Sequence, residues 1–85
     1  MNKTIEILEI EKEKFYDLFE KRNALINLEK IIDSSNVLYR RLRINLIETT
    51  KAEERWWNEI AEKYNIKLEN EKWIINFKDN TLFRE

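Results

Sequence analysis

The chain contains no glycine, no proline, no cysteine and no histidine. Without cysteine there is no disulfide, which agrees with a reducing compartment. Without cysteine and histidine together, the usual zinc ligands, the commonest general base and the thiolate nucleophile are gone. Without glycine, phosphate-cradling loops of the Walker and dinucleotide-binding kinds cannot be built. Catalysis would have to rest on carboxylates, Lys, Arg, Ser, Thr or Tyr alone, so the inventory argues against an enzyme and points to no cofactor. No apolar run approaches the ~20 residues of a membrane span. The opening Thr4-Ile-Glu-Ile-Leu-Glu-Ile10 sets acids where a secretory signal needs an unbroken apolar stretch, so a cytoplasmic protein is expected. A basic excess is missing as well: 16 Lys and Arg face 17 Asp and Glu, a formal net charge of -1. That balance argues against a protein that coats DNA or RNA.

What the chain does have is 85 residues of which 42% are hydrophobic and 12% aromatic, too apolar for disorder and enough for one domain with a modest core. Helical periodicity runs from about Glu11 to Ile32 and again from about Val37 to Tyr64. Between them, Asp33-Ser-Ser-Asn36 supplies turn and N-cap chemistry, and so short a link predicts an antiparallel helical hairpin. The second helix also offers the favourable pairs Arg55–Glu59 and Glu59–Lys63. The C-terminal third changes period. Ile66 to Glu69 and Lys72 to Phe77 read as two short strands around a turn at Asn70-Glu71, with Trp73, Ile75 and Phe77 on one face. Lys78 to Thr81 offers a further turn, after which Leu82-Phe83 returns as a third strand. Thr4 to Ile10 fits a short strand joining that hairpin, although Ile7 and Ile10 also continue the first helix's stripe. The expected fold class is α+β, mostly α: a two-helix hairpin with a small C-terminal β-hairpin packed on it.

Trp56 and Trp57 are adjacent near the end of the second helix. Neighbouring helical residues point about 100° apart, so a single narrow stripe cannot centre both indoles. Leu38, Leu42, Thr49, Ala52, Trp56 and Ile60 share one stripe, interrupted by Asn45, whereas Tyr39, Leu46, Trp57 and Tyr64 lie on a flank. On the first helix Leu18, Leu25, Leu28 and Ile32 form the primary stripe, interrupted by Arg22, and Phe15, Phe19 and Ile26 form its flank. Both faces are wider than a two-helix seam needs, so a third layer must cross the pair. The C-terminal strand can supply it by setting Trp73, Ile75 and Phe77 on Phe15, Phe19, Trp57 and Tyr64. Folding back near Ser34 places Phe15 level with Glu54 to Trp57. Trp56 is then core, and Trp57 is either core or a contact held for a partner.

Candidate partner contacts are accordingly Tyr39, Arg43, Trp57 and Tyr64. Val37, Ile44 and Ile47 fall off both apolar faces of the second helix, either as ordinary scattered surface residues or as a dimer patch. Arg40-Arg-Leu-Arg43, extended by Arg55, could meet an acidic peptide or a phosphate, against the plainer reading of a solvated face with Glu48, Glu54 and Glu62 nearby. Glu53, Glu54 and Glu59 lack the histidine of helical metal motifs, so no metal site is expected.

Taken in order, Phe19-Glu-Lys-Arg-Asn-Ala-Leu25, Leu38-Tyr39, Glu48-Thr-Thr50, Trp56-Trp57, Glu62-Lys-Tyr-Asn65 and Trp73-Ile-Ile-Asn-Phe77 with Asn80 resemble the small proteins named for CXXX-repeat peptide modification systems. The resemblance spans about residues 15 to 82. The chain departs from that pattern at Ala24, Ile66 and Asn76, where Gly, Trp and Asp are expected. The resemblance implies an accessory, non-catalytic role beside radical enzymes that modify ribosomally made peptides, through binding of a precursor peptide or its modifying enzyme. It carries over no catalytic residue. The alternative reading is a small mobile-element inhibitor or regulator that occludes a larger host protein, acting as a homodimer through Ile44 and Ile47.

Overall fold

The computed structural model describes residues 4–69 and 71–84, and their order is β1 (Thr4–Glu6), α1 (Glu9–Ile31), α2 (Val37–Tyr64), β2 (Trp73–Asn76) and β3 (Thr81–Arg84). The helices form the expected antiparallel hairpin, with a three-stranded antiparallel sheet of order β1-β3-β2. Asn36 caps α2 by accepting the Leu38 N–H at 2.9 Å, and Asp33 accepts the Ser35 N–H at 3.0 Å, so the connection is built by side-chain turn chemistry. α1 starts on half a capping box. Leu8 has no side-chain acceptor to offer, but Glu11 Oε1 accepts the Leu8 N–H at 2.8 Å. The expected Arg55–Glu59 and Glu59–Lys63 pairs are not closed among the described residues; Lys63 reaches across to Glu11 instead, at 2.8 Å.

A chain without glycine must still turn. Only two described residues have positive φ, Asn65 at 55° and Asn80 at 54°, and asparagine is the side chain that best tolerates this region after glycine. Asn65 ends α2, its own amide and that of Ile66 both closing on the Ala61 carbonyl, and Asn80 ends the turn before β3.

The strands differ from expectation in two respects, the first being that β1 covers only Thr4–Glu6 of the expected Thr4 to Ile10, with Glu9 and Ile10 in α1. Residues 66–69 form no strand, and the proposed turn residue Asn70 lies outside the described residues. The hairpin is β2–β3, around a turn at 77–80 in which Asn76 Oδ1 accepts the Lys78 and Asp79 N–H groups. The 66–69 segment is used for its side chains: Ile66 is buried, and Lys67 O accepts the Trp73 indole N–H at 3.1 Å. The N-terminal strand does join the sheet, Ile5 facing Leu82 from one side while Ile75 faces it from the other. Leu82, on the central strand, has no exposed surface at all.

The core lies where the sheet meets the helices: Ile7, Phe15, Trp56, Ile60, Ile66, Trp73 and Leu82. Phe15 is its hub, with ring centroids 4.7 Å from Trp56, 5.8 Å from Trp57 and 6.2 Å from Phe77. The expected ranking on α1 is thereby inverted. Phe15, placed on the flank, is the buried residue, whereas Leu28 of the primary stripe is exposed. The sheet packs over the flank, and burial follows the third layer rather than the seam.

That layer is short. Strands of three or four residues span on the order of 10–14 Å, whereas α2 with 28 residues is about 42 Å long. The molecule measures 49 × 25 × 21 Å with a radius of gyration of 15.3 Å, against about 12 Å for a compact domain of this length. Among the described residues one end of the hairpin therefore carries a third layer and the other, the tip around residues 32–37, does not.

Candidate interaction surface

At the sheet end a cluster of polar groups is committed to structure, although the buried Asn80 Oδ1 in the turn before β3 has no hydrogen-bond partner among the described residues. Glu11 is the organising residue. Its carboxylate takes the Leu8 N–H, the Lys63 ammonium and the Tyr64 hydroxyl, and its backbone carbonyl takes the Trp56 indole N–H at 2.9 Å. Burial pushes the Glu11 carboxyl up, but the hydrogen bonds from Lys63, Tyr64 and Leu8 outweigh it and hold the group below the ordinary carboxylate value. Lys63 is raised by its hydrogen bond to Glu11, and Tyr64 is raised by burial and then by the same carboxylate. Arg22 is likewise occupied, bonded to Glu53 at 2.7 Å and lying over the Phe19 ring.

Trp57 sits at the rim of this end. Its ring meets Trp56 edge-on at 5.1 Å and 89°, so the adjacent indoles are packed on each other at right angles. It is half-buried against the core, and with Phe19, Arg22, Trp73, Ile75 and Phe77 it lines an open cleft of about 210 Å³. Tyr64 is half-buried through the Glu11 bond. Tyr39 and Arg43 lie elsewhere. Tyr39 is 18 residues before Trp57, about 27 Å along the same helix, so the four candidate contacts share a face of α2 but not a patch. Arg43 bonds Glu29 of α1 at 2.6 Å.

The tip has the opposite character. In the first half of α2 only Leu42 and Thr49 are buried, and the Thr49 hydroxyl is spent on the Asn45 carbonyl. Leu25, Leu28, Ile32, Leu38, Leu42 and Asn45, with Arg41 at one side, surround a gap of about 190 Å³ between the helices. Leu28 is 43% exposed, Leu38 54%, Ile31 80% and Val37 90%; Ile44 and Ile47 are 47% and 51% exposed on the outer side of α2. Leu8, Ile10 and Tyr16 are exposed at the sheet end, but six of the nine exposed large apolar side chains lie in this distal half, and such a concentration marks a contact surface more often than chance scatter. Val37, Ile44 and Ile47 stand off both apolar faces by their spacing, whereas the spacing of Leu28 and Leu38 puts them on the helix–helix stripes, where they are nonetheless exposed. The signal that could have found them is strand length, because four-residue strands cannot cover a hairpin of this length.

Beside the outer stripe a groove of about 350 Å³ runs along α2, bounded by Arg43, Leu46, Ile47, Thr50, Lys51 and Glu54. Among the described residues no three His, Cys, Asp or Glu side chains gather as metal ligands would, and no helix is long and apolar enough to cross a membrane. Comparison with models of protein families, with curated proteins and with solved structures finds no match to this chain.

Proposed function

We propose that the chain is a small non-catalytic module that binds a protein or peptide through the distal half of its helical hairpin. The observation that carries this reading is the unequal covering of one continuous hairpin. The sheet covers most of the apolar face at one end, leaving Leu8 and Ile10 exposed at the start of α1, and none of the described residues covers Leu28, Ile31, Val37, Leu38, Ile44 and Ile47 at the other. Leaving that surface bare forgoes about 25 cal/mol for each Å² that a third layer would have buried, and a partner recovers it on binding. Arg43 borders this surface beside Ile47 and Tyr39 lies on the neighbouring flank of α2, whereas Trp57 and Tyr64 serve mainly to pack the sheet end.

The resemblance to accessory proteins of peptide modification systems supports a precursor peptide or its modifying enzyme as the partner. Neighbouring genes discriminate this from the inhibitor reading: a radical maturase with a Cys-repeat precursor in one case, phage genes in the other. The direct test is affinity capture from cells of the source with immobilised wild type, Ile44→Asp/Ile47→Asp and Trp57→Ala proteins, each checked for an unchanged circular-dichroism spectrum. The reading expects a specific protein that wild type and Trp57→Ala retain and the double variant loses. Equal retention by wild type and the double variant contradicts it.

A further inference from the structure

We propose that the occupant of the distal α2 face is an acidic amphipathic helix of another protein; this rests on the binding reading above and names the partner's chemistry. Val37, Arg40, Ile44, Ile47 and Lys51 recur at spacings of three and four along α2. This is the spacing of a helix–helix seam, and it lies on the side of α2 turned away from the Leu42–Thr49–Trp56–Ile60 stripe that faces the core. Such a stripe, about 21 Å long from Val37 to Lys51, matches about four turns of a docked helix. The three apolar residues supply the contact, and the groove along Leu46 and Thr50 gives a docked side chain somewhere to sit.

Charge selects the occupant. Residues 37–51 carry Arg40, Arg41, Arg43 and Lys51 against the single anion Glu48, a formal +3 within a chain of -1, so the remaining residues stand at -4. Arg43 is satisfied by Glu29. Arg40, Arg41 and Lys51 have no ion-pair partner among the described residues. A second copy laid face to face on this stripe would bring three cations without an ion pair from each side against only Glu48 and, at the far end of the groove, Glu54, and like charges across a helix seam disfavour the pairing. A helix with apolar residues on one face and Glu or Asp along both edges answers both features at once, pairing carboxylates with Arg40, Arg41 and Lys51 and burying Val37, Ile44 and Ile47. The arginines also favour carboxylate partners by their two-pronged geometry.

The test uses the whole protein and two synthetic 21-residue helices, one with Leu at the seam positions and Glu along its edges, the other with Lys in place of Glu. Fluorescence anisotropy of the labelled peptides reads affinity, and sedimentation equilibrium of the protein alone reads self-association. The expected result is at least tenfold tighter binding of the acidic helix, weakened by raising salt from 0.05 to 0.5 M, on the order expected for screened charge pairs. Binding should be lost in Ile44→Asp/Ile47→Asp, and preference should reverse in Arg40→Glu/Arg41→Glu/Lys51→Glu. Both variants alter exposed side chains, and an unchanged thermal midpoint shows that they fold. Equal affinity for the two peptides, or no affinity for either, overturns the acidic-helix assignment while leaving the binding reading to the capture experiment. A stable dimer of the free wild-type protein, broken by Ile44→Asp/Ile47→Asp, overturns it in favour of a second copy.

Discussion

The two ends of this hairpin are made from similar residues and put to different uses. At the sheet end Phe15, Trp56, Ile60 and Leu82 are buried in a three-layered packing. Toward the tip Leu28 and Leu38, beside a gap between the helices, and Val37, Ile44 and Ile47, on the outer side of α2, are no less apolar and are exposed. Helix propensity cannot account for the difference, since α2 runs unbroken through both. What differs is the third layer, which is one short sheet long. Apolar periodicity therefore shows where a chain can be covered, and the length of the covering element decides where it is.

The largest effect that tests this contrast compares one substitution at two places. Leu82→Ala, at a fully enclosed site, is expected to lower unfolding free energy by about 4 kcal/mol, and Leu42→Ala, buried but beside an existing gap, by only about 2 kcal/mol. Urea denaturation of both variants measures this, and equal losses would mean that the tip is packed as tightly as the sheet end.

A smaller effect belongs to Glu11, which ties both helices together at the sheet end. Glu11→Ala removes a helix-start bond and the Lys63 and Tyr64 contacts, and should cost on the order of 1–2 kcal/mol at neutral pH. The pH profile follows from the directions of shift. A carboxyl lowered in the folded state contributes stability above its ordinary value of 4.5, lost as pH falls through the lowered one. Lys63 and Tyr64, both raised, contribute below their ordinary values of 10.5 and 10.0 and lose that contribution as pH rises through the folded ones. Wild type should thus gain over Glu11→Ala across the window between these limits, and thermal midpoints of the two proteins should converge at both extremes. A constant difference across pH would show that the cluster's charges contribute nothing.

The smallest expected effect lies on the distal stripe. Ile44→Ser and Ile47→Ser should each change stability by no more than about 0.5 kcal/mol, since these side chains are half in water already. A loss above about 1.5 kcal/mol in either would place the stripe in the core of the free protein and remove it as a contact surface.

Much of the architecture was legible in the residues. The bounds of α2 follow from Asn36 as cap and the periodic run to Tyr64, and the level of Phe15 against Trp56 and Trp57 follows from counting back from the turn. β1 could be placed because Ile5 and Ile7 alternate with acids. The strand at residues 66–69 was misread because Ile66 and Leu68 alternate as strand residues do, yet their side chains pack on the helices while the backbone pairs with no strand. Phe15 was underrated for a related reason: a wheel ranks residues against a seam and has no information on where a sheet will land. The outer stripe of Val37, Ile44 and Ile47 stood out because it fits neither buried face. Of its cations, Arg43 pairs with Glu29, while Arg40, Arg41 and Lys51 are exposed with no ion pair among the described residues, as a solvated basic face requires.

The most direct measurement of the contrast between the two ends is native-state amide hydrogen exchange along α2, a single helix that passes through both. Amides from Glu53 to Ala61, under the sheet, should open only with free energies near that of global unfolding, and those from Arg40 to Leu46 should open locally at several kcal/mol less. Uniform protection along the helix would contradict the account, because it would show that the tip is held as firmly without a third layer as the sheet end is with one.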